Sequence, residues 1–234
     1  MSMLYIYTMC GRFSLAVSKE RVSKKLSISV EDEIIPNYNI APTQNTYVIT
    51  NEAPEELQQL KWGLIPYWAK DERTGSTLIN ARSEGVASKP SFRMPIRKRR
   101  CLVIADGFYE WKKEGRNRIP YRIKHKHDSL IIMAGIWDKW VSSSDEIITS
   151  FSILTTTPNK EMSYIHDRMP VIINKKEQQE KWLNNIDLSN ALSVLQTLED
   201  DSLDIFPVSK RVNSVSFNEA SLYNKILLPP TLFD

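Results

Sequence analysis

A cysteine with unusual chemical potential stands close to the start of the sequence. Cys10 follows Met9 directly in the stretch TMCGRF (8–13), and the uncharged stretch MSMLYIYT (1–8) precedes Met9. An internal cysteine offers only a thiol, whereas a cysteine that begins the working protein offers a thiol and an amine on adjacent carbons. The reactions open to Cys10 therefore depend on whether residues 1–9 are present.

A glutamate lies inside a predicted strand. Glu110 stands in GFYEWKK (107–113), and because strand side chains alternate it shares a face with Phe108. An apolar face desolvates the charged form of a carboxyl group, which raises its pKa and suits it to proton transfer near neutral pH. The alternative is a salt-bridged glutamate on the surface of an edge strand.

A histidine stands beside a carboxylate where a predicted helix gives way to a strand. His166 precedes Asp167 and Arg168 in IHDRMPVI (165–172). A neighbouring carboxylate can hold one tautomer of a histidine, whose ordinary pKa suits proton shuttling. A purely structural histidine is the alternative.

Two further segments offer polar and aromatic groups. LINARSEG (78–85) sets Asn80 and Arg82 on one face of an extended chain, where an amide and a guanidinium suit an oxyanion or a phosphate. WGLIPYWAK (62–70) carries Trp62 and Trp68, and exposed aromatic rings near basic residues can stack unpaired bases. Core packing is the alternative for both, and we expect it for Trp62.

Composition narrows the class of protein. The 234 residues are 41% hydrophobic with a net charge of +3, which suits one globular domain, and no apolar run approaches the roughly 20 residues that span a bilayer. We therefore expect a cytoplasmic protein. The two cysteines form no CxxC pair, so neither a zinc site nor a disulfide framework is indicated, and Cys101 is predicted to be a small core residue. We expect no metal and no cofactor. The basic run Arg97–Arg100 either extends a DNA path or is simply solvated.

The elements that must position these residues are mostly strands. Runs rich in β-branched and aromatic residues predict strands at 46–50, 57–63, 101–105, 107–113, 120–124, 129–140 and 148–156, with a hairpin turn at 113–117. Helical patterns cover 18–28, 158–165 with Pro158 in the first turn, 175–184 and 188–198. The predicted fold is α+β: a single domain with a mostly antiparallel sheet or barrel-like core and peripheral helices.

Taken together, these stretches resemble the SRAP family, the SOS response-associated peptidases. The resemblance runs from Cys10 to about Val215. It rests on motifs in the family's order: MCGRF (9–13), YNIAPTQ (38–44), WGLIPYWAK (62–70), NARSEG (80–85), KPSF (89–92), RRCLVIADGFYEWKK (99–113), AGIW (134–137) and IHDRMPVI (165–172). Several motifs at consistent spacing make this resemblance specific.

The resemblance implies a function and a set of site residues. SRAP proteins recognise abasic sites in single-stranded DNA and form a covalent DNA–protein cross-link through an N-terminal cysteine. The resemblance thus implies a monomer with single-stranded DNA as partner, associated with the nucleoid when bound, and without metal or membrane. The implied catalytic residues are Cys10, Asn80, Glu110 and His166, and the implied DNA-binding residues are Arg12, Asn39, Trp68 and Arg82.

The chemistry of an abasic site agrees with these roles. The site opens to an aldehyde, which an α-amine attacks to give a Schiff base, and the thiol then closes a five-membered thiazolidine ring. A thiol alone gives a reversible hemithioacetal. We therefore expect residues 1–9 to be a leader that is absent from the working protein or removed from it, leaving a domain over 10–234. Either Met9 is the true start, or the protein cleaves the bond before Cys10 itself.

Three other interpretations remain. A cysteine peptidase acting on other proteins would use Cys10, His166 and Glu110 as nucleophile, base and orienting group. A non-catalytic reader of single-stranded or modified DNA would use the basic stretches and Trp68. A purely structural barrel would leave the four matching motifs without a purpose.

Overall fold

The computed structural model describes residues 11–127, 129–184 and 187–228. In chain order, the strands of these ranges are β1 (Arg12–Leu15), β2 (Asn37–Ile40), β3 (Asn45–Thr50), β4 (Ala53–Trp62), β5 (Asn80–Arg82), β6 (Arg100–Ala105), β7 (Gly107–Glu114), β8 (Asn117–His125), β9 (Ile131–Val141), β10 (Ile147–Thr156), β11 (Met169–Pro170) and β12 (Leu203–Pro207). The helices are α1 (Lys19–Leu26), α2 (Pro95–Lys98), α3 (Lys160–Ser163), α4 (Lys176–Leu183) and α5 (Leu188–Leu192), and short 3-10 helices cover Glu72–Thr77, Ser83–Gly85, Lys210–Asn213 and Ala220–Tyr223.

One sheet closes into a barrel. β4 pairs with β3, β3 with β6, β6 with β9 and β9 with β10, and β10 returns to β4 in a parallel pair. Closure leaves the barrel strands without an open edge. β5 and β11 add to β10 towards its C-terminal end, parallel and antiparallel respectively. The predicted α+β fold with a barrel-like core is confirmed.

A second, antiparallel sheet lies beside the barrel in the order β12-β8-β7-β1-β2. Its β7–β8 hairpin turns through Gly115 and Arg116, and Gly115 has a φ of 59°. A two-residue loop with a positive φ at its first position only, as here, is a type II′ turn, which favours glycine there. The hairpin turn predicted at 113–117 is confirmed.

The main core joins the two sheets through aromatic contacts. Phe13 of β1 meets Trp62 of β4 edge-to-face, with ring centroids 4.8 Å apart. Both rings are buried, as expected for Trp62. Cys101 of β6 is also buried as expected, opposite Gly135 of β9, and burial raises the pKa of its thiol. Burying an aromatic or branched side chain contributes about 1.5–3 kcal/mol, so this core stabilises the relative placement of the sheets.

The predicted helices exist, with shifted ends. α3 begins at Lys160 because the Asn159 side chain accepts a hydrogen bond from the Met162 N–H, so Pro158 precedes the cap instead of occupying the first turn. The helix predicted over 188–198 ends at Leu192. Its later apolar residues, Leu195 and Leu198, still pack on the core, so their spacing reflects burial and does not require helix. No helix in the described ranges is long and apolar enough to cross a membrane.

Arg100 departs from both expectations for the basic run. It is fully buried, and its guanidinium donates to the carbonyl groups of Ile96, Arg97, Trp182 and Asn184. These carbonyls lie at the C-terminal ends of α2 and α4, where unpaired carbonyls and the helix dipole favour a cation. Arg100 is thus neither solvated nor available to DNA.

Candidate functional site

The predicted catalytic glutamate is buried in the middle of the second sheet. β7 lies between β1 and β8, with Tyr109 opposite Arg12 and Glu110 opposite Tyr121. Glu110 is 3% exposed, and Phe108 on the same face of the strand is also buried. The structure therefore favours the buried carboxylate over the surface salt bridge.

The N-terminal segment enters at this carboxylate. Arg12 is the first residue of β1, and its partner Tyr109 immediately precedes Glu110. Glu110 thus stands just past the paired end of β1, on the side from which residue 11 leads into the strand. Cys10 itself lies outside the described residues.

Two of the implied DNA contacts belong to an internal network. Arg12 is 7% exposed, and its Nη1 donates to the Asn39 side-chain oxygen and to the Val212 carbonyl, both at 2.8 Å. Asn39 is 1% exposed, and its amide donates to the carbonyls of Ser214 at 3.0 Å and Phe217 at 2.8 Å. Together they hold residues 212–217 against β1 and β2, a link that sequence spacing did not predict. Their contact with DNA stays a prediction.

Asn80 and Arg82 lie on β5, as the extended geometry required. β5 runs parallel to β10, with Asn80 opposite Ile153 and Arg82 opposite Thr155. Ala81 between them is buried, Asn80 is partly buried and Arg82 is exposed. This register places an amide and a guanidinium on one side of a short strand.

His166 lies between α3 and β11. Its Nδ1 is 2.8 Å from the Asp167 carboxylate and 3.2 Å from the Arg168 backbone N–H. Nδ1 must carry a proton to donate to Asp167, and must lack one to accept from Arg168. In the neutral ring, the partner that Nδ1 takes therefore decides whether Nε2 can give or accept a proton.

The segments that carry Asn80 and His166 flank the same part of β10. Thr155 is opposite Arg82 of β5 on one side and opposite Pro170 of β11 on the other. A side-chain pair, Arg168 with Glu84, spans the two segments. Sequence reasoning missed this pair, because nothing in the spacing of two separate motifs signals that their charges meet.

Trp62 connects these segments to β1. Its indole N–H donates to the Ile79 carbonyl at 3.0 Å, directly before Asn80, while its ring packs on Phe13 of β1. The Asn80 strand and the strand that continues from Cys10 are therefore fixed to one buried side chain.

Trp68 presents an aromatic surface on an anchored loop. Trp68 is 50% exposed, and the neighbouring Tyr67 is exposed as well. The loop is held by the Tyr67 N–H, which donates to Asp138 at 3.1 Å, and by the Trp140 indole, which donates to the Ala69 carbonyl at 2.7 Å. An exposed ring on a fixed backbone can stack a base with little ordering cost.

A side-chain contact beside Glu110 was also not predicted. The Trp111 indole donates to the Asn213 side-chain oxygen at 2.8 Å. Asn213 belongs to the same C-terminal stretch that Asn39 and Arg12 hold, so this stretch supports both β1 and β7. In the described ranges, no group of three or more His, Cys, Asp and Glu residues is arranged to hold a metal ion.

Comparison with known proteins assigns the family. Residues 9–215 match the family model described as SOS response associated peptidase (SRAP). The chain belongs to the SRAP family. This membership agrees with the order of the motifs and with the SRAP-like α+β fold.

Named relatives cover almost the whole chain. Abasic site processing protein YoqW of Bacillus subtilis is 42% identical over 221 residues, covering 92% of this chain and 98% of that protein. Abasic site processing protein HMCES of Gallus gallus is 29% identical over 251 residues, covering 88% of this chain and 75% of that protein. The crystal structure of a protein from Bacteroides thetaiotaomicron matches with a TM-score of 0.84 at 30% sequence identity. The match covers 93% of this chain and 100% of the Bacteroides chain.

Proposed function

We propose that this SRAP protein recognises abasic sites in single-stranded DNA and becomes covalently attached to them through Cys10. Relatives named abasic site processing proteins support the substrate class. The observation that carries the proposal is the buried carboxylate of Glu110, which stands past the paired end of β1 where the chain arrives from Cys10.

Chain connectivity supports the pairing of these two residues. Consecutive Cα atoms are about 3.8 Å apart, so the Cα of Cys10 stays within roughly 8 Å of the Cα of Arg12. Arg12 pairs with Tyr109, the neighbour of Glu110. Chain connectivity is therefore compatible with the proposed pairing of Cys10 with Glu110.

The reaction is a condensation that releases one water. The α-amine of Cys10 adds to the aldehyde carbon of the opened sugar, and the resulting carbinolamine loses hydroxide as water to give a Schiff base. The thiol sulfur then adds to the imine carbon, and its proton passes to the nitrogen, which closes the thiazolidine ring. No oxidant or reductant is needed.

Five other residues take one role each in the proposed reaction. Glu110 moves protons between the amine and the leaving water. His166 protonates the sugar oxygen as the ring opens, and Asn80 orients the reacting groups from β5. Arg82 and Trp68 are exposed and bind the strand through phosphate and base stacking, a sequence-independent contact that weakens with salt.

The mechanism requires a free α-amine on Cys10. We therefore propose that the working form begins at Cys10, either through initiation at Met9 and removal of that methionine, or through cleavage of the Met9–Cys10 bond by the site itself. The working form acts as a monomer in the cytoplasm and joins the nucleoid through its DNA.

The decisive experiment is intact mass spectrometry after incubation with an abasic single-stranded oligonucleotide. The protein is expressed in parallel from residue 1 and from Met9. We expect an adduct of protein plus oligonucleotide minus one water, with the protein part beginning at Cys10. Cys10→Ala should give no stable adduct, whereas Cys101→Ala, which changes a buried thiol, should cross-link like the parent.

Two further variants test the assigned proton transfers. Glu110→Gln and His166→Ala should slow formation or reversal of the link while the fold stays intact. Glu114→Gln, on the same face of β7, and His127→Ala, on an exposed turn, are the matched controls.

Other outcomes would point to the rival functions. Unreacted protein that begins at Cys10 and cleaves peptides in trans would favour a cysteine peptidase. Binding of single-stranded DNA that persists in Cys10→Ala, with no adduct in the parent, would favour a non-catalytic reader. A cross-link that forms equally well in Cys10→Ala would refute the mechanism.

A further inference from the structure

An ion pair joins the two segments that carry Asn80 and His166. The Arg168 guanidinium donates from Nη1 and Nη2 to the two oxygens of Glu84, with Nη2 to Oε2 at 2.9 Å. Nη2 also donates to the Thr155 carbonyl at 2.6 Å. The ion pair is therefore bidentate, and Arg168 makes an additional hydrogen bond to the backbone of β10.

Glu84 and Arg168 each lie a few residues after one of the implied catalytic residues. Glu84 lies in the 3-10 turn Ser83–Gly85 that follows β5, four residues after Asn80. Arg168 lies two residues after His166, immediately before β11. The pair therefore spans the end of β10 and connects the turn after β5 to the loop before β11.

The burial of Arg168 and the bidentate geometry separate this pair from an ordinary surface contact, although the Glu84 side chain is 52% exposed. Exposed ion pairs contribute about 0–1 kcal/mol and rarely fix geometry. Arg168 is 8% exposed, and its planar fork meets both oxygens of one carboxylate, which restricts both side chains. The same hydrogen bonding holds the pKa of Glu84 below its usual range.

The pair also bears directly on His166. The Arg168 backbone N–H is 3.2 Å from His166 Nδ1, in competition with the Asp167 carboxylate. Fixing the Arg168 side chain fixes this N–H, and with it one of the two arrangements of the histidine ring. Neither Glu84 nor Arg168 needs to contact the substrate for this effect.

We propose that Glu84 and Arg168 are positioning residues that clamp the β5 turn to the β11 loop and so fix His166 relative to Asn80. The proposal rests on the proposed cross-linking function and adds two residues to its machinery. The clamp sets the alignment of the proton donor with the sugar that Asn80 orients.

The test is a double-mutant cycle on the cross-linking rate. The first-order rate is measured at saturating abasic oligonucleotide for the parent, Glu84→Ala, His166→Ala and the double variant. Affinity for the same strand without the abasic site is measured separately by anisotropy. Glu52→Ala, which breaks the exposed pair with Lys139, is the matched control.

We expect Glu84→Ala to slow cross-linking about tenfold while affinity for the undamaged strand stays within about twofold. In the His166→Ala background, the same change should have less than about a twofold effect, because a residue that acts through His166 loses its influence with it. Glu84→Gln retains part of the hydrogen bonding and should lie between parent and Glu84→Ala; it also replaces Glu84→Ala in the cycle if the latter does not fold.

Three results would overturn the clamp. One is an unchanged rate in both Glu84 variants. Another is an equal reduction of the cross-linking rate by Glu84→Ala in the parent and in the His166→Ala variant. The third is altered affinity for undamaged DNA with an unchanged saturated rate, which would make Arg168 a DNA-binding residue that Glu84 restrains. If the parent itself forms no adduct, the proposed function fails first, which the parent control reports separately, and the clamp falls with it.

Discussion

Replacing Asn39 by alanine removes the amide that ties residues 212–217 to the first two strands. The side-chain oxygen of Asn39 accepts from Arg12, and its nitrogen donates to the carbonyls of Ser214 and Phe217. Family resemblance implies that Asn39 contacts DNA, whereas these bonds imply internal support of the strand that follows Cys10. The two roles predict different results for the same variant.

The structure gives the size of the expected loss. A neutral hydrogen bond contributes about 0.5–1.5 kcal/mol net, and one to a charged group about 1.5–3 kcal/mol. Alanine at position 39 loses two of the first kind and one of the second. Since such contributions are not additive and water enters part of the emptied site, we expect the free energy of unfolding to fall by about 2–4 kcal/mol. For a chain of this length the melting temperature should fall by roughly 5–15 °C.

The assay pairs urea and thermal unfolding with DNA binding measured well below the melting temperature. Asn39→Ala should lose stability as stated and bind an undamaged single strand like the parent. Asn45→Ala, at an exposed position on β3, should change stability by no more than about 0.5 kcal/mol. Parent-like stability combined with weaker DNA binding in Asn39→Ala would refute the internal role and make Asn39 a DNA contact.

The remaining predictions concern the exposed Trp68 ring, the thiols of Cys10 and Cys101, and the loss of stability at acid pH. Trp68→Ala should weaken binding of undamaged single strands by about 1–3 kcal/mol without lowering the melting temperature, and Trp68→Phe should keep most of the affinity; equal binding by all three would exclude stacking. Because burial raises the pKa of the Cys101 thiol, iodoacetamide at pH 8 should label native protein once, at Cys10, and urea-unfolded protein twice, by mass spectrometry. Labelling of native Cys101 would contradict its burial. The pKa of Glu84 is lowered by Arg168, so its stabilisation is complete above the unfolded value of about 4.3 and is lost as pH falls through the lower folded value. The melting-temperature gap between parent and Glu84→Gln should therefore narrow as the pH falls from 7 to 3, and a gap that is constant with pH would refute this linkage.

The local pattern of residue types was sufficient to predict the long strands but not the short ones. β9 and β10 carry long apolar runs whose composition alone indicates strand, and the hairpin at Gly115 follows from turn chemistry. β5 and β11 contain three and two residues, and they become strands because β10 offers unpaired backbone groups at its C-terminal end. No propensity over so few residues can predict a pairing that a distant strand supplies.

The same distinction applies to the site. The alternation of Glu110 with Phe108 raised burial as one of two alternatives, between which only the structure decides, and the shared side of Asn80 and Arg82 followed from an extended chain. The surroundings of Arg12 depend on carbonyl groups 200 residues away in sequence, at Val212, which no local pattern reveals. Arg100 read as a surface charge because the carbonyl groups that receive it belong to two helix ends brought together by tertiary packing.

The closed barrel brings the Asn80 and His166 segments to one end of β10 and links that barrel to the sheet that carries Glu110. The N-terminal part of β10 pairs with β9 through a hairpin whose loop, 142–146, is largely exposed. Its C-terminal part instead holds the Asn80 strand on one side and the His166 loop on the other. Trp62, at the end of β4 where the barrel closes on β10, packs on Phe13 of β1 and thereby positions the other sheet, with Glu110 in it. We therefore expect a change at Thr155 to displace the Asn80 and His166 segments together, whereas a change of equal size in the 142–146 loop should displace neither, because β5 and β11 pair with β10 only at its C-terminal end.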